Sequence, residues 1–186
     1  SAERPDAVIH FAGTTNRVRD RKKEYEIDIG GTANLIEASC QTPTVKKLIY
    51  SSSAAIYGPA KRKELWLDET VEVNPGKYRY GLNKKLAEDL IFSERVSSGL
   101  HVVALRICTV VGPLYSRPRS VVSILMRMPV LPASFRAARV QFLHEDDFAE
   151  LIRKVLEEED LEGLFNLAPD SCTIVGDVVP ADRFFR

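Results

Sequence analysis

No apolar run in this sequence approaches the roughly 20 residues that a membrane-spanning helix needs, and the N-terminal "SAERPDAVIH" has no signal-peptide core. Neither sign of charge is in excess. Lysine plus arginine number 26 against 26 for aspartate plus glutamate, which removes the electrostatic motive for binding nucleic acid or an anionic membrane. Cysteine is scarce: Cys40, Cys108 and Cys172 are odd in number and lack metal-ligand or redox spacing. Buried thiols in a reducing compartment, the cytoplasm, are expected, and no metal site. There is no internal repeat and no low-complexity tract.

What is present alternates between two kinds of segment. "AVIHFAG" (7–13), "KKLIYSSS" (46–53), "HVVALRI" (101–107), "VQFL" (140–143) and "GLFNLA" (163–168) are short apolar runs that predict buried strands. Between them, Tyr25, Ile29, Ala33, Ile36 and Cys40 fall at helical spacing, as do Leu82, Leu86, Leu90 and Ile91 in a helix over 79–98. Further helices are expected over 145–158 and around 121–127. Gly30-Gly31 interrupts the first helix at about 1 kcal/mol per glycine, so close packing against a neighbour is expected to compensate. The segment 58–77, punctuated by proline and glycine, predicts a loop. Strands that are apolar on both faces and alternate with helices imply an α/β fold with a parallel sheet. At 186 residues the length suits one sizeable core.

The chemistry-bearing stretch is "KYRYGLNKK" (77–85). A tyrosine and a lysine four residues apart lie one above the other on a helix. The ammonium then favours the phenolate, drawing the phenol from about 10 toward working pH, and such a phenol can exchange a proton with a carbinol oxygen. Two pairs have the spacing. Tyr57 and Lys61 are separated by Gly58-Pro59, which forbids a shared helical face; Tyr80 and Lys84 open the 79–98 helix, where the geometry works. On spacing alone Tyr80 could equally be an ordinary half-buried helix aromatic. Its company alters that reading: "YSSSAAIYG" (50–58) places hydroxyls at the carboxyl end of a strand, where open parallel sheets bind ligands.

These blocks, with "DIGGTANLIEA" (28–38), "DETVEVNPGKYRYGLNKKLAED" (68–89), "LRICTVVGP" (105–113) and "FLHEDDFAE" (142–150), occur in the order of the extended short-chain dehydrogenase/reductase superfamily, the NAD-dependent epimerase/dehydratase group. The chain resembles that group from about Asp6 to Asp170. The resemblance implies a Rossmann-like doubly wound parallel sheet over 1–111, incomplete at its N-terminal side. It also implies a short substrate lobe over 112–186 that returns a strand and helix to the sheet. It implies NAD or NADP as cofactor and a sugar-like or other hydroxyl/carbonyl substrate for an epimerase, dehydratase or reductase. Tyr80 would be the acid/base, Lys84 the ribose holder and Ser53 the substrate-polarising serine. Ala12, Gly13, Ser51 and Arg106 would border the cofactor, and Ala54, Thr109 and Val110 the substrate. His144, Asp146 and Asp147 would fix a strand-to-helix turn. A homodimer through helices 20–40 and 79–98 is also implied.

Three positions depart from the pattern. Asp28 stands where the group usually has asparagine, Thr109 where asparagine is frequent, and Val140-Gln141 where an arginine is usual. The last two changes remove contacts each worth about 1.5–3 kcal/mol to a substrate diphosphate if desolvated. The sequence also has no G-x-x-G-x-x-G-like turn to hold a pyrophosphate. The first strand would therefore be the fourth of the fold, its edge open to water or to another chain. Either the sequence is a piece of a longer polypeptide, which the aggregation hazard of a bare edge favours, or partner subunits cover that edge. Under the first reading this chain alone binds neither NAD nor NADP tightly. The competing function is a binding or scaffold protein that keeps the fold without the chemistry, a reading Asp28 supports and the Ser53, Tyr80 and Lys84 set opposes.

Overall fold

The computed structural model describes residues 4–14, 19–58, 66–95, 99–113, 128–180, 182 and 184–185. Within them strands β1 (Ala7–His10), β2 (Lys47–Ser53), β3 (His101–Ile107), β4 (Thr109–Val111), β5 (Leu131–Pro132), β6 (Arg139–Val140), β7 (Phe142–His144), β8 (Gly163–Leu167), β9 (Thr173–Ile174) and β10 (Phe184–Phe185) interleave with helices. The helices are α1 (Arg21–Tyr25), α2 (Gly31–Cys40), α3 (Arg79–Arg95), α4 (Glu145–Glu157) and α5 (Val175–Val178). Two compact units result, Ser1–Ile107 with Ile152–Leu167, and Cys108–Leu151 with Ala168–Arg186.

The first unit is built on a sheet in the order β1-β2-β3-β8, every pairing parallel. Its two central strands are buried on both faces, as the unbroken apolar runs require. Leu48, Tyr50, Val102 and Ala104 point one way, into a cluster with Ile29 and Ile36 before and within α2 and with Ala87 and Ile91 of α3. Each such aliphatic contributes about 1.5–3 kcal/mol on burial. Lys47 points the other way, and its Nζ donates to the carbonyls of Val155 (2.8 Å) and Glu158, capping the C-terminal end of α4. Helices therefore flank the sheet on both sides, which is the Rossmann-like, doubly wound α/β arrangement. The first strand ends at His10, short of the expected Gly13, because pairing with β2 stops at Tyr50.

Helix 20–40 differs from its expected form. Asp20 caps α1 by accepting from the Lys22 and Lys23 amides, but Glu26–Gly30 forms a π-helical turn before α2 resumes. The wider turn rotates what precedes it away from the later face. Tyr25 is consequently 52% exposed, whereas Ile29 and Ile36 are buried. The expected tight packing of Gly30-Gly31 is absent: among the described residues nothing comes within 4 Å of a Cβ built on either. The glycines instead mark the change from π to α geometry. Cys40, Cys108 and Cys172 are free but not buried as expected. Cys40 ends α2 on its outer side.

Helix α3 buries Ile91 and packs Leu86 and Leu90 against the core as expected, but its buried face is turned away from Leu82. Leu82 is 39% exposed, while Lys84, Ala87, Glu88 and Ile91 are buried. Polar Lys84 and Glu88 therefore lie on the inner face, each because an interior partner satisfies it.

The second unit pairs β4 with β7 in parallel, β5 with β10 in parallel, and β6 with β9 antiparallel. Leu131, Val175 and Val179 form its small core. The helix expected around 121–127 lies outside the described residues. Among the described residues no helix is long and apolar enough to cross a membrane.

Candidate active site

The site begins where β2 runs out. Ser53 ends the strand, and its Oγ accepts the Ala55 amide at 3.2 Å, starting a 3-10 turn over Ala54–Tyr57. Gly58 then turns with φ of 75°, and a Cβ there would stand 2.0 Å from the Asn74 carbonyl oxygen. No other residue fits. The chain returns into α3, which presses on the same turn. A Cβ on Gly81 would lie 2.4 Å from the Ala55 carbonyl oxygen and 3.1 Å from Pro75 Cβ. The glycine after Tyr80 thus lets the helix reach the strand end. An ion pair from Arg79 to buried Glu24 ties the start of α3 to α1.

This docking sets Tyr80 and Lys84 in one pocket with Ala12, Gly13, Thr14, Asp28, Tyr50 and Asn83. Lys84 Nζ donates to the Ser51 carbonyl. It lies 4.8 Å from the Tyr50 ring centroid and 5.9 Å from that of Tyr80, within the range of a cation–π attraction. Burial lowers the Lys84 ammonium to about 8, with Asp28 and Glu88 opposing the shift. It remains about nine-tenths charged at pH 7. Burial also raises the Tyr50 phenol, with Tyr80, Glu88 and Asp28 adding to the effect. Tyr50 is therefore the inert neighbour of the two tyrosines.

Asp28 enters the pocket from the π-helical turn. Its carboxylate accepts the Thr14 amide and the Thr14 hydroxyl, each at 2.7 Å, and the Asn83 amide at 2.8 Å. Its carbonyl accepts the Thr32 hydroxyl at 2.6 Å, and Thr32 Oγ1 lies 2.9 Å from His10 Nε2. The single Thr32 proton is committed to the Asp28 carbonyl, so His10 Nε2–H must be the donor. Burial first, then Lys84, lowers the His10 imidazole against the opposing pull of Asp28, in keeping with a neutral ring.

Of the other expected residues in the first unit, Ser51, Ser53, Ala54 and Arg106 are not in the pocket lining. The Arg106 guanidinium is buried in a two-pronged ion pair with Glu88, at 3.1 Å (Nε–Oε1) and 2.9 Å (Nη2–Oε2). Its Nη1 donates to Tyr57 Oη at 3.0 Å, and Tyr57 donates onward to Asn166 Oδ1 at 2.8 Å. Asn166 in turn donates to the Leu67 carbonyl at 2.9 Å and, through its backbone amide, to Glu69 Oε1. The network pins loop 67–69 to β3 and β8. Asp28 stands out in the sequence as a departure at a position that supports the active-site hydrogen-bond network in related enzymes; Asn83, Glu88 and Asn166 are not anticipated there. Of these three, Glu88 alone carried a signal, as a charge inside an apolar stretch of helix. Thr109 and Val110 lie in the second unit, in β4 beside β7. There too Gln141 Nε2 donates to the Pro169 carbonyl at 2.6 Å, and His144 Nδ1 accepts the Asp146 amide at 3.3 Å at the start of α4.

A parallel sheet flanked by helices on both faces places the chain in the Rossmann-like, doubly wound class of α/β proteins. The sequence profile of the NAD dependent epimerase/dehydratase family matches residues 1–168, and the chain belongs to that family. It is 32% identical over 156 residues to the UDP-glucose 4-epimerase of Mycoplasma genitalium, covering 80% of this chain and 45% of that enzyme. It is also 32% identical over 114 residues to the GDP-6-deoxy-D-mannose reductase of Pseudomonas aeruginosa, over 60% of this chain and 37% of that enzyme. The UDP-glucose 4-epimerase of Thermus thermophilus, solved with NAD, superposes with a TM-score of 0.79 at 26% identity. That match covers 94% of this chain and 60% of that one. The chain thus spans about half the length of the relatives it resembles.

Proposed function

We propose that this chain supplies the acid/base half of an NAD-dependent active site that acts on a carbinol or carbonyl carbon of a nucleotide-linked sugar, with 4-epimerisation as the reaction. The observation that carries the reading is the shared pocket of Tyr80 and Lys84 at the end of β2. The residues present suit the ribose end of a dinucleotide: Ala12 and Gly13 offer exposed backbone, Lys84 a donor, Tyr80 a hydroxyl. The floor is open because Gly13 has no Cβ, which would stand 4.0 Å from Lys84 Nζ. The bound dinucleotide supplies the oxidant and reductant. Tyr80 Oη holds the proton exchanged with the substrate oxygen, and Lys84 keeps a positive charge beside it. Ser53, whose Oγ accepts from Ala55, retains its own proton to donate to the same substrate oxygen. Arg106 serves as an internal strut for α3. Thr109 and Val110 are assigned to the substrate side and the protein to the cytoplasm. Pairing through α1–α2 and α3, where Tyr25, Ile27, Tyr78 and Leu82 are exposed, gives a homodimer that light scattering checks.

The test uses the full-length polypeptide with UDP-glucose and UDP-galactose. Tyr80→Phe is expected to cut turnover by about 100-fold or more, on the order of a lost general acid/base, while NAD affinity stays within a few fold. Undiminished turnover refutes the assignment.

A further inference from the structure

The pocket holds two charges whose direct partners among the described residues are all neutral. Lys84 Nζ donates to a peptide carbonyl, that of Ser51. The Asp28 carboxylate accepts from the Thr14 amide, the Thr14 hydroxyl and the Asn83 amide, none of them a cation. Between them lies Gly13. A Cβ built on it would be 3.5 Å from Asp28 Oδ1 and 4.0 Å from Lys84 Nζ, so those two atoms are at most 7.5 Å apart.

Lys84 is faced by His10 from β1, by Asp28 from the π-helical turn, by Tyr50 from β2, and by Tyr80 and Glu88 from α3. The two anions among them are not equivalent. Glu88 gives both oxygens to the Arg106 guanidinium, so its charge is largely spent. Asp28 is oriented by neutral donors alone, with no cation among its hydrogen-bond partners in the described residues. The helix is wound as a π turn at this residue and nowhere else among the described residues, and such turns recur where a side chain must be aimed at a site.

We propose that Asp28 is the counter-charge of Lys84, a positioning residue that holds the lysine as an ammonium beside Tyr80 and makes the pocket internally neutral. The proposal rests on the reading of Tyr80 and Lys84 as an acid/base pair. It turns the aspartate, an apparent defect where the family usually has an amide, into part of the device. A neutral amide at position 28 could accept part of the same hydrogen-bond set but supply no field. An ammonium desolvated to this degree would then release its proton closer to neutrality.

The experiment is carbon-13 NMR of the 186-residue chain with labelled lysine, following the Lys84 Cε signal against pH and identifying it by its loss in Lys84→Arg. The unsubstituted chain should titrate near 8. Asp28→Asn should lower that midpoint by about one pH unit, the size expected for a unit charge at this separation in a partly screened interior. Asp28→Glu should restore most of it. An unchanged midpoint in Asp28→Asn overturns the proposal, because a merely structural aspartate would not move it. If Asp28→Asn does not fold, the coupling is read in the unsubstituted chain, where the Asp28 carboxyl-carbon signal should shift at the Lys84 midpoint. A signal that stays flat through that midpoint overturns the proposal equally. Neither readout needs coenzyme or turnover, so failure here is distinguishable from failure of the Tyr80→Phe test.

Discussion

Removing Glu88 should be among the most destabilising changes in the first unit, although the residue does not line the pocket. Its carboxylate and the Arg106 guanidinium have side chains 5% exposed and meet through two hydrogen bonds. Truncating one partner strands the other charge in the interior, which costs about 3–5 kcal/mol. Glu88→Ala and Arg106→Met should each fall in that range. The double change Glu88→Ala with Arg106→Met strands neither charge of the pair, so it should cost far less than the sum. Tyr57 survives it, because its hydroxyl keeps Asn166 Oδ1 as acceptor. Urea unfolding of the four proteins gives the coupling energy directly. Strictly additive losses, or a Glu88→Ala cost below about 1 kcal/mol, would show that water reaches the pair and that the desolvation argument is wrong.

The lysine gives a pH signature. Its folded-state value of about 8 lies below the unfolded value of about 10.5. The unfolded chain therefore binds more protons between those limits, and stability rises with pH through that window. The gain from about pH 7 to about pH 9.5 is roughly 2 kcal/mol, and Lys84→Met should flatten it in urea titrations at the two pH values. Glycines should respond in opposite senses. Gly31→Ala meets open space in a helix and should stabilise by about 1 kcal/mol. Gly81→Ala drives a Cβ into the Ala55 carbonyl and should cost about 1–3 kcal/mol. Thermal denaturation compares them. Iodoacetamide should modify exposed Cys40 before Cys108, whose thiol burial pushes up, and peptide mapping gives the order.

The sequence by itself determined the four strands of the main sheet, the helices between them and the Tyr80–Lys84 spacing, but not the short strands of the second unit, where the run expected over 140–143 divides into β6 and β7. Each feature it determined follows from local physics: apolar runs too short for helices, helical spacing, and a glycine turn that separates Tyr57 from its lysine. It placed β3 over 101–107 and β8 from residue 163 because unbroken apolar strands bounded by polar turns leave little freedom in register. Only the tertiary structure decided how far the buried face of α3 turns from its apolar stripe, which reaches the core through Leu86, Leu90 and Ile91 but not Leu82. Hydrophobicity pointed to Leu82, yet Lys84 and Glu88 turn inward, since the Ser51 carbonyl and Arg106 lie 33 and 18 residues away. The π turn that brings Asp28 to Thr14 and Asn83 was equally hidden, for nothing in "EYEIDIGG" distinguishes a wide turn from a regular one. Buried polar partners are chosen by contacts between distant segments, and no pattern read along one segment contains them.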